Sequence, residues 1–125
     1  MFICTGKITV YRDYVVAYVN NDIARYYRQL LPKYLYVKPP AFPAHVTVIR
    51  QKIETISAEA LDFLRGCDKM EVQIHSDTEI KRIGSYFYLD AWSRDISDLR
   101  VSCNLQKYRI GFDRYHITIG NTKGN

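Results

Sequence analysis

The sequence lacks the features that mark membrane proteins, secreted proteins and proteins with a structural zinc site. Its 125 residues hold no apolar run near the about 20 residues that cross a bilayer, and residues 1–7 lack the pattern of a signal peptide. The three cysteines, Cys4, Cys67 and Cys103, are odd in number and include no C-x-x-C pair. These absences predict a cytoplasmic protein with reduced thiols, without a membrane segment or a structural zinc site.

Basic side chains and tyrosines are what the sequence has in excess. The formal net charge of +5 suits an anionic partner such as a nucleotide or a nucleic acid, although many proteins without such a partner are as basic. Eleven tyrosines serve either to stack on nucleobases or to pack a small sheet, and packing is the commoner use. Composition alone therefore leaves the partner open.

The apolar pattern predicts one α+β domain over residues 1–125. It indicates strands at 2–10, 13–19, 44–50, 69–75, 78–83, 86–91 and 114–120. It indicates helices over 22–31, from Ser57 through Leu64 with Gly66 as the residue after the helix, and from Ser93 through Cys103. The order suggests two related halves, about 1–55 and 56–125, each with a helix followed by a strand that contains His-x-Thr.

The two His-x-Thr strands are the most specific feature. The first reads His45-Val46-Thr47-Val48 and the second reads His116-Ile117-Thr118-Ile119. Since side chains alternate along a strand, each histidine shares a face with its threonine, and the valines and isoleucines turn toward a core. The same alternation places Ile49 on the face of His45 and Thr47. Two such strands side by side would present two imidazoles and two hydroxyls to one space.

This set suits the cleavage of a phosphodiester. One imidazole can take the proton of the attacking hydroxyl or water and the other can protonate the leaving oxygen, while threonine hydroxyls donate to the non-bridging oxygens. Either order of base and acid satisfies the chemistry, and neither a metal nor a cofactor is needed. Two alternatives use the same histidines, a structural role and a metal site. The nearby carboxylates, Glu54 and Asp113, do not repeat between the halves, which disfavours the metal site.

The paired motifs resemble those of the 2H phosphoesterase superfamily, whose members include LigT-like RNA 2′,3′-cyclic phosphodiesterases. The resemblance implies a bilobal α+β fold, with duplicated strand-helix-strand halves and antiparallel sheets around a central cleft. It also implies metal-independent catalysis by His45 and His116, with Thr47 and Thr118 binding phosphate. The short chain is most similar to the small phage anti-CBASS enzymes, which destroy cyclic-nucleotide alarm signals.

The resemblance therefore predicts a phosphodiesterase that cleaves the 3′–5′ bonds of a cyclic di- or trinucleotide, in the host cytoplasm and without an obligate protein partner. One alternative is an RNA 2′,3′-cyclic phosphodiesterase or RNA-end processing enzyme. A second alternative is a protein that binds a nucleotide without cutting it. A structural role for both histidines would instead make them essential for stability and not for activity.

Three further residues are candidates for contact with the substrate. Tyr11 stands at the end of the first strand, where it could stack on a base, and Trp92 follows the strand 86–91, where it could cap the cleft. Arg50 follows Thr47, but strict alternation turns it to the opposite face, so that it needs a β-bulge to reach phosphate. The third histidine, His75, is followed by Ser-Asp and is predicted to be a strand-end or loop residue.

Overall fold

The computed structural model describes residues 1–109 and 112–123 of the chain. Over these residues the structure is α+β, as the pattern predicts, with seven strands, three α-helices and a 3-10 turn at Lys33–Leu35. The strands are β1 (Phe2–Val10), β2 (Tyr14–Tyr18), β3 (His45–Arg50), β4 (Glu71–Ser76), β5 (Lys81–Ile83), β6 (Tyr86–Trp92) and β7 (Tyr115–Asn121). The helices are α1 (Asn21–Gln29), α2 (Ala58–Gly66) and α3 (Arg94–Ser102).

The strands form one antiparallel sheet in which the two motif strands lie at the ends. The order is β3-β2-β1-β4-β6, and β6 also pairs with β5 and β7. Residues 86–88 of β6 pair with both β5 and β7, so these two strands occupy opposite edges of β6. The sheet curls until Cα atoms of β3 and β7 lie within 8 Å of each other, which makes it a nearly closed barrel. Curling therefore brings together two strands that are 70 residues apart in the sequence.

Each α-helix begins where a side-chain oxygen caps it. Asn20, Ser57 and Ser93 accept hydrogen bonds from backbone N–H groups in the first turns of α1, α2 and α3. The caps Ser57 and Ser93 are the residues at which the sequence predicts that α2 and α3 begin. Gly66 is the last residue of α2 and not the residue beyond it, because Cys67 forms the C-cap in a right-handed conformation.

The covered face of the sheet carries the predicted core. Val46 and Val48 of β3 and Ile117 and Ile119 of β7 are fully buried, which confirms the alternation within both motifs. Helix α1 packs on β7, and α3 packs on β3 and β4. The histidine and threonine side chains are left on the other face of the sheet.

A β-bulge interrupts the alternation in β3. Thr47 pairs with Val16, but Ile49 pairs with the adjacent Val15, so Val48 is an extra residue. Ile49 is consequently buried in the core, and the prediction that it shares the face of His45 and Thr47 is wrong. The bulge also changes the direction of the residue that follows Ile49.

A bulge stands at the equivalent place in β7. Thr118 pairs with Tyr88, whereas Gly120 pairs with Phe87, so Ile119 is the extra residue. In both motif strands the extra residue is thus the one that follows the threonine. The shared position relates the two halves of the chain by structure as well as by sequence.

The remaining differences concern the bounds of elements. Strand β5 has three residues where the pattern predicts six over 78–83, and α1 ends at Gln29 and not at residue 31. Cys4, Cys67 and Cys103 are free thiols. No helix in the described part of the chain is long and apolar enough to span a membrane.

Candidate functional site

A cavity of about 740 Å³ lies where β3 and β7 meet. His45, Thr47, His116 and Thr118 all line it, so the structure brings together the four residues that the motifs predict. The other lining residues are Arg50, Lys81, Ile83, Tyr86, Tyr88, Asp90, Arg109, Phe112, Asp113, Arg114 and Tyr115. Two imidazoles, two hydroxyls and several charged groups therefore share one space.

His45 is held by the backbone at one ring nitrogen. Its Nδ1 atom lies 2.8 Å from the carbonyl oxygen of Pro43, and because a carbonyl can only accept, Nδ1 carries the hydrogen and donates. In the neutral imidazole the lone pair is then on Nε2. The Tyr18 ring, opposite His45 in β2, meets the imidazole edge-on with 6.1 Å between centroids. Nε2 is thus the ring nitrogen that the Pro43 contact leaves available to the cavity.

His116 has different surroundings. Its ring is in edge contact with Tyr88, at 4.6 Å between centroids, and with Phe112, at 5.5 Å. Burial lowers the pKa of His116; the nearby Asp90 carboxylate opposes that shift, and the cations Arg109 and Arg114 add to it. The two histidines of the cavity therefore have unlike environments, although their sequence motifs are alike.

Asp90 connects His116 to two basic side chains. Its carboxylate is almost fully buried and stands opposite His116 in the β6–β7 pair, with Oδ1 3.6 Å from the His116 Nε2 atom. Lys81 donates to its other oxygen, and Arg114 Nη1 donates to the same oxygen at 3.2 Å. Arg114 also pairs with Asp113 at 2.9 Å. At this end of the cavity, two carboxylates compensate two cations.

Arg50 and Arg109 are the other two basic residues of the lining. Because of the bulge at Val48, Arg50 lies on the cavity side of β3. This is the β-bulge that Arg50 was predicted to need in order to reach a phosphate. The Arg109 guanidinium lies over the Phe112 ring, 4.8 Å from its centroid. Burial lowers the pKa of Arg109, and the positive charge of Arg50 lowers it further.

Tyr11 and Trp92 lie outside the cavity lining. The Tyr11 hydroxyl is 2.6 Å from the Tyr18 hydroxyl, so Tyr11 supports the ring that contacts His45. Trp92 lies beneath the Arg114 guanidinium, 5.5 Å from ring centroid to carbon. Trp92 is thus one side chain away from the cavity, whereas Tyr11 is two away, because Tyr18 is not itself part of this lining. His75 is next to last in β4, as predicted.

A second cavity of about 390 Å³ adjoins the first along β3. It shares His45, Thr47 and Arg50 with the first cavity. The side chains that only the second cavity has are Asp13, Tyr14, Val16, Tyr18, Phe42 and Lys52. The surface available to a ligand therefore continues on both sides of the His45–Thr47 segment.

An arginine from a helix supports each bulge. Arg100 of α3, which is fully buried, donates to the Val48 carbonyl at 2.6 Å, and Arg28 of α1 donates to the Ile119 carbonyl at 2.9 Å. Arg100 also forms a bidentate pair with Glu54. The carbonyl of each extra residue thus has a charged donor, and Glu54 has a structural partner.

The supporting residues were not predicted from the sequence. Asp90 gives the strongest signal, because an acidic residue stands within the otherwise apolar and aromatic segment 86–92. Lys81 lies in β5, Arg100 in α3 and Arg109 in the loop before β7, and none of them has a local pattern that marks it. Among the residues that the structure describes, no three His, Cys, Asp or Glu side chains are grouped as potential metal ligands.

Comparisons of the chain with protein-family models, with curated proteins and with solved structures find no match.

Proposed function

We propose that the protein is a phosphodiesterase of the 2H type, with His45 and His116 as the proton-transfer residues. The observation that carries the proposal is that one cavity is lined by both histidines and both threonines of the paired motifs. The α+β class is compatible with the fold that the resemblance implies, and we extend the proposal to that bilobal fold.

The reaction needs two proton transfers and stabilisation of one phosphoryl group. One imidazole takes the proton of the attacking hydroxyl, whose oxygen forms a bond to phosphorus. The bond from phosphorus to the leaving oxygen breaks, and the other imidazole, in its protonated form, gives that oxygen a proton. The Thr47 and Thr118 hydroxyls donate to the non-bridging oxygens, where negative charge accumulates. Side chains of the protein supply every step.

The proposed substrate is a cyclic di- or trinucleotide, cleaved at a 3′–5′ bond. The cavity volume of about 740 Å³ lies within the about 300–1,000 Å³ of typical ligand sites. Basic side chains favour a phosphate backbone, and Tyr86, Tyr88 and Phe112 offer ring faces and edges to bases. By resemblance to the phage enzymes, we propose that cleavage in the host cytoplasm removes a signal of CBASS-type immunity.

A substrate panel tests the proposal. The protein is incubated in excess EDTA with cyclic dinucleotides, cyclic trinucleotides and RNA ends that carry a 2′,3′-cyclic phosphate, and the products are separated by chromatography. We expect cleavage of a cyclic oligonucleotide. Cleavage of RNA ends alone would move the protein to RNA-end processing, and recovery of intact but bound ligand would make it a binding protein.

Histidine variants test the assignment of the residues. His45→Ala and His116→Ala should each lower turnover by about 10²–10⁴-fold, the usual contribution of a general acid or base. His75→Ala is the matched control, because this histidine lies outside the cavity lining. Loss of folding in both cavity variants, with no specific loss of activity, would instead support a structural role.

A further inference from the structure

The charges of the main cavity do not balance, and the excess is local. Lys81 and Arg114 are compensated by Asp90 and Asp113. In the described part of the chain, Arg50 and Arg109 form no ion pair, and two positive charges are left. The adjoining cavity adds one charge of each sign, Asp13 and Lys52, which leaves the excess unchanged.

The two arginines lie close enough to influence each other. The charge of Arg50 lowers the pKa of Arg109, and the charge of Arg109 in turn lowers the pKa of His116. Glu54 is the carboxylate that opposes these effects at Arg109, but both of its oxygens are already engaged by Arg100. The positive charges of Arg50 and Arg109 are therefore not compensated by an ion pair within the described residues.

One phosphodiester is not enough to compensate this excess. The scissile group carries a single negative charge, and the two histidines and two threonine hydroxyls already provide its proton transfers and donors. Two guanidinium groups carry two positive charges, and their fork of N–H donors matches the oxygens of phosphate. A second phosphate next to the scissile one would supply the missing charge.

We propose that Arg50 and Arg109 bind a second, non-scissile phosphate of the substrate. This inference rests on the proposed phosphodiesterase function and narrows its substrate class. The preferred ligand carries at least two phosphates separated by one nucleotide, as a cyclic dinucleotide does. A linear dinucleoside monophosphate has the same 3′–5′ bond but no second phosphate, and leaves the arginine pair unoccupied.

The experiment compares these two ligands in the intact chain. Steady-state KM is measured for cyclic di-AMP and for the dinucleoside monophosphate ApA with wild type, Arg109→Gln and Arg50→Gln. Arg65→Gln, which changes an exposed arginine of α2 that is not part of the lining, is the control. We expect each cavity variant to raise KM for cyclic di-AMP by about 10-fold or more, as loss of a charge-assisted hydrogen bond does, and to change KM for ApA by less than about 3-fold.

Direct binding separates failure of this inference from failure of the proposed function. Calorimetry with the double variant His45→Ala/His116→Ala measures affinity for both ligands without cleavage. If wild type cleaves neither ligand but the arginine substitutions still weaken only cyclic di-AMP binding, the second phosphate site holds and the phosphodiesterase proposal fails. Equal weakening for both ligands would place the arginines on the scissile phosphate, and no weakening would remove them from the binding site; either result overturns the inference.

Discussion

The substitution Arg100→Met should strongly destabilise the protein. Arg100 is fully buried and donates to the carbonyls of Val48 and Gln106, in addition to its bidentate pair with Glu54. Methionine is of similar length but cannot donate. The substitution therefore leaves a carboxylate and two carbonyl oxygens without their donor in a mostly buried place.

The size of the effect follows from the burial. Removing one partner of a buried ion pair costs about 3–5 kcal/mol, because the other partner is left uncompensated. At about 2.1 cal/mol/K per residue, the unfolding entropy of the 125-residue chain is about 0.26 kcal/mol/K. The expected decrease in Tm is therefore about 12–19 °C for Arg100→Met.

Thermal unfolding followed by circular dichroism measures this decrease, and two other arginines provide a graded comparison. Arg28→Met removes the equivalent donor from Ile119 but breaks no ion pair among the described residues, and should cost about 1.5–3 kcal/mol. Arg65 is exposed on α2, so Arg65→Met should change the free energy of unfolding by less than about 0.5 kcal/mol. The expected order of destabilisation is thus Arg100, then Arg28, then Arg65.

A decrease in Tm below about 4 °C for Arg100→Met would refute this reasoning, since it corresponds to about 1 kcal/mol. A double-mutant cycle with Glu54→Leu gives a second test. Because an apolar pair can replace a buried ion pair, the double variant should be more stable than Arg100→Met alone. A double variant that is less stable than either single variant would contradict the coupling.

Three other predictions concern catalysis, pH dependence and packing. Thr47→Val should lower kcat by about 10²–10³-fold, as loss of an oxyanion donor does, and an unchanged kcat would exclude the hydroxyl from the reaction. Asp90→Asn should move the His116 limb of the pH–rate profile to lower pH, because the Asp90 carboxylate raises the pKa of His116; a shift to higher pH would contradict the geometry. Gly120→Ala should cost about 1–3 kcal/mol in denaturant unfolding, since the new Cβ would lie 2.5 Å from a side-chain carbon and 2.8 Å from a backbone oxygen. Gly66→Ala, which meets open space in α2, should be neutral or stabilising in the same assay.

Local chemistry explains why most elements could be predicted from the sequence. Asn20, Ser57 and Ser93 cap helices through bonds to residues only two or three positions away, so the cap and its partner occur in one short window. The alternation of Val46 and Val48 with their polar neighbours likewise needs no knowledge of the partner strand.

The bulges could not be predicted in this way. Whether Val48 is an extra residue depends on its register with Val15 and Val16, which are more than 30 residues away in the sequence. The prediction for Ile49 was wrong for that reason. The stated condition for Arg50, a bulge after Thr47, proved to be met.

The candidate site was predictable only where it repeats. His45 and His116 could be found because each is followed at the same spacing by threonine. Asp90, Lys81 and Arg109 occur once each, on β6, on β5 and in the loop before β7, and only the tertiary fold gives them a common location. Their roles depend on partners that a linear sequence does not place beside them.

The position of β3 and β7 at the two ends of one curled sheet has a mechanical consequence. Over their described residues no ladder of backbone hydrogen bonds joins these two strands, whereas all the other neighbouring strands are joined by such ladders. The barrel therefore has one open seam, between β3 and β7. A ligand that contacts both strands would bridge β3 and β7 in place of the absent ladder. Occupancy of the cavity would then hold β3 and β7 together at the seam, while the β1–β4 ladder joins the two halves of the chain with or without a ligand.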